Sequence, residues 1–155
     1  MPLPTGARAP GFELVDQLGQ TVRLADRLAA GPVVLVFFPL AFSRTCEGEL
    51  CALRDDLRLF DDAGVQLLGV SVDSKFALRA WAEEQGYGFP LLSDFWPHGE
   101  VARAYDAFLD ERGYAARATF VIDLDGVIRA SFATGPGEAR SLEQYREALT
   151  ALDGH

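Results

Sequence analysis

The run Phe37-Phe38-Pro39-Leu40-Ala41-Phe42-Ser43-Arg44-Thr45-Cys46-Glu47-Gly48-Glu49-Leu50-Cys51 joins two segments of different periodicity. Before it, Val33 to Phe38 is an unbroken apolar stretch suited to a buried strand, and Pro39 can neither extend a ladder nor enter a helix interior, so the chain turns there. After it, Cys46, Leu50, Leu53, Leu57 and Phe60 fall within about 80° of one another at roughly 100° per residue, which predicts an amphipathic helix starting near Cys46. A thiol at that place meets unpaired N–H groups and the positive end of the helix dipole, and should ionise more readily than a free cysteine. A cysteine on an apolar stripe is also the common form of a buried, inert thiol. Residue type and position alone leave both readings open.

The 155 residues, 49% of them hydrophobic, fit one domain with an ample core. A net charge of −9 argues against nucleic acid or an anionic membrane surface as the main partner. Met1 to Phe12 lacks the basic-then-apolar pattern of a secretory signal, and Val33 to Phe42, interrupted by Pro39, is too short to span a bilayer. A cytoplasmic protein is expected. In a reducing compartment, two cysteines five residues apart point to local redox or metal chemistry rather than a disulfide framework. Metal binding is the poorer of the two, because only His98 and His155 could add imidazole ligands.

Working outward, Phe12-Glu13-Leu14 and Val22-Arg23-Leu24 around Asp16 to Gln20 read as a hairpin. Val65 to Asp73 reads as a central strand, and Ser74 as the N-cap of a helix with Phe76, Ala77, Ala80 and Trp81 on one face. A short helix then runs to Phe108. Strands at Ala118 to Asp123 and Val127 to Phe132 are joined by Asp125-Gly126, and a last helix, Ser141 to Leu152, opens on a Ser-x-x-Gln capping box. Alternating strands and helices imply parallel crossovers and a sheet covered on both sides, an α/β architecture.

The spacing Pro-x-x-x-Ser-x-x-Cys, here Pro39, Ser43 and Cys46, resembles the peroxidatic loop of the peroxiredoxins, with serine where threonine is more usual. Gly6 to Leu14 resembles the opening of that family. Phe37 to Phe42 and Phe89 to Gly99 are similar to the alkyl hydroperoxide reductase E branch. The resemblance covers nearly the whole chain. It implies a thioredoxin-like fold with a mixed central sheet, flanking helices and an N-terminal β-hairpin extension.

It also implies a thiol peroxidase without cofactor. Pro39 would shield the thiolate and Ser43 would bond the sulfur and the peroxide. Arg117, opening Arg-x-Thr-Phe-Val-Ile-Asp, would lie beside the sulfur, and Glu49 would support the active-site arginines. In-line attack of Cys46 on hydrogen peroxide or an organic hydroperoxide would yield a sulfenic acid and water or alcohol. Peroxide being small, a shallow pocket suffices.

Cys51 departs from that branch and matches the bacterioferritin-comigratory group, which often has a resolving cysteine five residues after the first. Five helical residues place the Cα atoms roughly 8–9 Å apart and about 140° around the axis. That is beyond the roughly 7 Å at which a disulfide closes, so the first turn must unwind. Gly48 between the cysteines would make that easier. Without Cys51 the alternative is a one-cysteine mechanism with an external thiol. The reductant would be thioredoxin, a glutaredoxin-like protein or a low-molecular-weight thiol, and Phe95 and Trp96 would lie at the rim of the site and a homodimer contact.

Other functions fit less well. A disulfide oxidoreductase wants Cys-x-x-Cys, and a cysteine hydrolase wants a histidine base with an orienting acid. A binding or chaperone role on the same fold stays open.

Overall fold

The computed structural model describes residues 2–135 and 137–152; His155 lies outside them. The chain opens with the expected hairpin, β1 (Glu13–Asp16) and β2 (Thr21–Arg23), paired antiparallel with Leu14 opposite Val22. Asp16 closes the turn, its Oδ1 accepting from the N–H groups of Leu18 and Gln20, each at 2.9 Å. A one-turn helix, α1 (Leu24–Leu28), follows at once; its sequence carries too few residues to show a helical period.

The apolar run forms β3 (Val33–Phe37), buried at every position. α2 (Arg44–Asp55) begins two residues before Cys46, and its stripe is interrupted. Asp56 leaves helical geometry at φ −129°, ψ 37°, and α3 (Arg58–Asp62) restarts after it. Adjacent Asp55 and Asp56 are poor helix formers whose side chains compete for backbone hydrogen bonds. β4 (Gln66–Ser71) is shorter than the apolar pattern, because the chain beyond Ser71 turns towards α4 (Lys75–Gln85).

Ser74 caps α4 as expected, its Oγ accepting from Ala77 N–H at 3.2 Å, but the buried face is Leu78, Trp81 and Ala82. Phe76 is 74% exposed and Ala80 is exposed, so the face drawn through Phe76, Ala77 and Ala80 is wrong. Only Trp81 belongs to both versions.

β5 (Leu91–Ser93) leads through Phe95 and Trp96 to α5 (Glu100–Ala104), which ends before Phe108. Phe108 instead begins a small hairpin, β6 (Phe108–Leu109) with β7 (Tyr114–Ala115). β8 (Arg117–Ile122) and β9 (Ile128–Thr134) form the closing hairpin, with Arg117 as the first residue of β8 rather than just before it. α6 (Leu142–Leu149) starts at the Ser141–Gln144 capping box and gives way to a 3-10 turn, Thr150–Leu152.

The seven strands of the main sheet lie in the order β2-β1-β5-β4-β3-β8-β9, with β3, β4 and β5 parallel and the rest joined antiparallel. The parallel β3, β4 and β5 follow from the crossovers that the alternating pattern implied, and the mixed sheet is the one that the peroxiredoxin resemblance implied. Period-two alternation then divides the core. Val34, Val36 and Phe38 face Leu50, Leu53, Phe60, Leu78 and Tyr145, from α2, α3, α4 and α6. Val33, Leu35 and Phe37 face Leu24, Val101 and Tyr105 on the other side. Among the described residues no helix is long and apolar enough to cross a membrane.

Candidate active site

Pro39, buried, ends β3, and the following loop is pinned from two directions. Asp73 Oδ2, just beyond β4, accepts from Ala41 N–H at 2.7 Å and from Ser71 Oγ at 2.6 Å. Phe42 adopts φ +66°, a conformation costly for a bulky side chain, with its ring 6.1 Å from that of Trp81.

Ser43 then caps α2. Its Oγ accepts from the backbone N–H of Cys46 at 3.3 Å, occupying one of the hydroxyl's two lone pairs and leaving its proton free to be donated. Cys46 sits in the first turn of α2, facing inward as the stripe required. It is completely buried, so the site is closed rather than a shallow open pocket in this conformation.

One turn along the same face lies Glu49. An acid in the second turn of a helix is usually solvated, yet here only 3% of it is exposed. Its Oε1 accepts from Arg117 Nη1 at 3.1 Å and Arg140 Nη2 at 2.7 Å. Its Oε2 accepts from the backbone N–H and the Nε of Arg140, at 2.7 and 2.9 Å. Alternation in β8 explains Arg117: it shares a face with Thr119 and Val121, and Val121 packs in the same core cluster as Leu50 and Leu53. Thr119 Oγ1 in turn accepts from Arg140 Nη1 at 2.9 Å.

Arg140 is the site residue that the sequence reading missed. It follows the glycines at 135 and 137, where no periodicity predicts a face. The one available signal was the need for a second cation, since Glu49 was expected to support more than one arginine and only Arg117 was assigned.

Burial works against the Arg140 charge, but Tyr145, Glu49 and Cys46 outweigh it and raise its pKa above the ordinary value. Burial likewise pushes the Glu49 carboxyl up, while hydrogen bonds and charge from Arg140, with Arg117 adding, more than offset this and hold it below the usual value. Two guanidiniums and one carboxylate sum to one positive charge, which a thiolate on Cys46 would balance. The cluster can therefore stabilise a sulfur nucleophile and the charge that passes to oxygen as an O–O bond breaks.

Cys51 points elsewhere. Both cysteines are free thiols, and Cys51 Sγ lies 3.4 Å from Gln85 Oε1 and 3.4 Å from Tyr87 Oη. His98, one of the two imidazoles in the sequence, contacts the Gly113 carbonyl through Nε2 at 2.7 Å. Among the described residues, no group of three or more His, Cys, Asp or Glu side chains could hold a metal ion.

Residues 5–131 match the model of the AhpC/TSA family. The chain belongs to this peroxiredoxin family. Alkyl hydroperoxide reductase E of Mycobacterium bovis is 47% identical to it over 150 residues, covering 97% of this chain and 98% of that protein. A chloroplastic 2-cysteine peroxiredoxin of Chattonella marina is 35% identical over 162 residues, 98% of this chain and 82% of that one.

Among solved structures, peroxidoxin BcpB of Mycobacterium tuberculosis superimposes with a TM-score of 0.86 at 30% identity, covering 98% of this chain and 99% of that chain. The peroxiredoxin thus has the thioredoxin-like fold, belongs with the alkyl hydroperoxide reductase E branch, and is a thiol-dependent peroxidase.

Glu49→Ala, which leaves two buried guanidiniums without their counter-charge, is expected to cost about 3–5 kcal/mol of stability, read as a lowered urea midpoint. The same carboxylate sets a pH dependence. Because its folded pKa is depressed, its contribution is full above the unfolded value of 4.5 and is lost as pH falls through the lower folded value. Unfolding midpoints of Glu49→Gln should therefore fall less steeply than those of wild type below pH 4.5; equal slopes would remove Glu49 as the source.

Proposed function

We propose that this peroxiredoxin reduces hydrogen peroxide and organic hydroperoxides through Cys46, and that Cys51 resolves the product. The observation that carries the first half is the common buried face of Cys46 and Glu49, with Arg140 electrostatically coupled to both. The Cys46 thiolate attacks the nearer peroxide oxygen. The O–O bond breaks, the peroxide's own proton leaves with the departing oxygen as water or alcohol, and Cys46 becomes a sulfenate that takes a proton from solvent to give the sulfenic acid. The Ser43 hydroxyl, Arg117 and Arg140 supply donors to the oxygens, Pro39 keeps bulk water from the sulfur, and Glu49 holds the two guanidiniums.

The second half rests on Cys51 and on Gly48. A Cβ added at Gly48 would meet no atom within 4 Å, so packing does not call for glycine there. What glycine supplies is a helix weaker by about 1 kcal/mol than alanine would give. That weakness lies between the two cysteines, in the segment that must open for their sulfurs to meet.

One observation favours the alternative, a one-cysteine mechanism: Cys51 is already hydrogen-bonded on another side of α2. A thioredoxin, a glutaredoxin-like protein or a low-molecular-weight thiol of the cytoplasm would then reduce Cys46 directly; under the resolving reading the same donors reduce the disulfide. A homodimer is supported by exposed Phe42, Phe95 and Trp96, the last 81% exposed.

Hydroperoxide consumption with a supplied thiol reductant should vanish in Cys46→Ser; undiminished activity would reject Cys46. Given one equivalent of peroxide, wild type should yield a Cys46–Cys51 disulfide in peptide maps, and Cys51→Ser only the sulfenic acid. Sustained turnover by wild type without that disulfide would select the one-cysteine mechanism. Gly48→Ala should slow disulfide formation about fivefold, measured by quenched-flow alkylation.

A further inference from the structure

α2 presents a second face, formed by Glu47, Cys51 and Arg54 at spacings of four and three, and this face meets the C-terminal end of α4. There Gln85 Oε1 and Tyr87 Oη each lie 3.4 Å from Cys51 Sγ. Both partners are themselves fixed to α2 on either side of the cysteine. Gln85 Nε2 donates to Glu47 Oε1 at 2.5 Å, and the Arg54 guanidinium donates to the Gln85 backbone carbonyl. Tyr87 Oη also lies 3.4 Å from the Glu47 carbonyl oxygen, so its single proton is shared between that oxygen and Cys51 Sγ.

Gly86, at φ +71°, ends α4 in the left-handed conformation and turns the chain so that the Tyr87 ring meets Trp81 edge-on at 4.9 Å. Burial, with Cys51 adding, pushes the phenol far above its ordinary pKa, so it stays protonated. The Gln85 amide, oriented by its bond to Glu47, presents Cys51 with an oxygen that can only accept, and therefore engages the S–H form.

We propose that Gln85 and Tyr87 form a clasp that holds Cys51 away from Cys46 and so sets how the sulfenic acid divides between resolution and over-oxidation. This rests on Cys51 being the resolving thiol. Resolution forms the Sγ–Sγ bond and breaks the S–O bond of the sulfenic acid. The departing hydroxide leaves as water with the proton of the Cys51 thiol; Cys51 is oxidised and the Cys46 sulfur reduced to the disulfide level. The competing step consumes a second hydroperoxide, which transfers an oxygen to the sulfenic acid to give the sulfinic acid and releases water or alcohol. Every clasp bond that must break before Cys51 moves lengthens the time open to that second hydroperoxide. Gln85 and Tyr87 are positioning residues: neither touches the reacting sulfur of Cys46 or the peroxide.

The test compares wild type with Tyr87→Phe, which keeps the ring, and with Gln85→Leu. After a pulse of one equivalent of peroxide, the Cys46–Cys51 disulfide should appear roughly two- to tenfold faster in each variant, as expected for loss of one modest hydrogen bond. The peroxide excess giving half-maximal sulfinic acid by intact mass should rise in proportion. Leu149→Ala, which loosens the same core without touching Cys51, separates general destabilisation from release of the clasp: its disulfide rate should match wild type. Unchanged or slower disulfide formation in Tyr87→Phe and Gln85→Leu would overturn the clasp, as would equal acceleration by Leu149→Ala. Absence of the disulfide from wild type and variants alike, with turnover continuing, would instead overturn the resolving role of Cys51, and the clasp with it.

Discussion

The site depends on one carboxylate held between two guanidiniums. Glu49 brings α2, β8 and the segment before α6 to a single buried point through four hydrogen bonds from Arg117 and Arg140. Removing three charges from water is costly, and the attraction between them repays it only where the remaining donors are also satisfied. Arg140 meets that demand by a further bond to Thr119, whose hydroxyl lies 3.5 Å from that of Tyr145 on α6. Glu49 and the two guanidiniums together sum to one positive charge. That sum favours an anion nearby, and under the proposed mechanism the Cys46 sulfur, one turn away on the same helix face, supplies it.

Because α2 carries the site, its construction matters at both ends. Ser43 holds the first turn through a bond of 3.3 Å to the Cys46 N–H, near the long limit for such bonds. Gly48 weakens the second turn, and the helix stops at the Asp55–Asp56 pair. Against these weak points stand the inward Leu50 and Leu53, which are fully buried, and the ion cluster. The helix is thus anchored by its inner face, while its first turn relies on the Ser43 cap and the Glu47 N–H bond to the Ser43 carbonyl at 2.8 Å.

Legibility in the sequence followed how each residue earns its place. β3, β4 and the β8–β9 hairpin could be read because strands covered on both faces need continuous apolar runs and a tight turn needs Asp-Gly. The caps at Ser74 and Ser141 could be read because a capping side chain acts over three residues. The inward placement of Cys46 followed from helical spacing. α1 and the β6–β7 hairpin escaped because elements of two to five residues carry no period. The face of α4 was misdrawn because Phe76 was counted as core on hydrophobicity alone, whereas Leu78 and Ala82 follow the buried period set by Trp81. The burial of Glu49 is a tertiary fact: an acid in the second turn of a helix reads the same whether water or two arginines surround it. Arg140 is hidden for the same reason, its partners lying 21 and 91 positions away in the chain.

The two faces of α2 make opposite demands, and the charge balance of the site offers a way to reconcile them. Under the proposed mechanism a thiolate on Cys46 is attracted to the Arg140 charge, and that attraction helps to hold the first turn. Once the sulfur is oxidised, that charge moves to an oxygen or is lost to a proton, and the hold weakens. If Cys51 resolves Cys46 as proposed, unwinding is easiest after the reaction that makes it useful. The bonds from Gln85 and Tyr87 to Cys51 do not involve Cys46 and do not sense that change. Under the proposed resolving mechanism, the inner face responds to the redox state of the site while the outer face does not, and the helix would open once the loss of attraction at Cys46 overcomes the hold at Cys51.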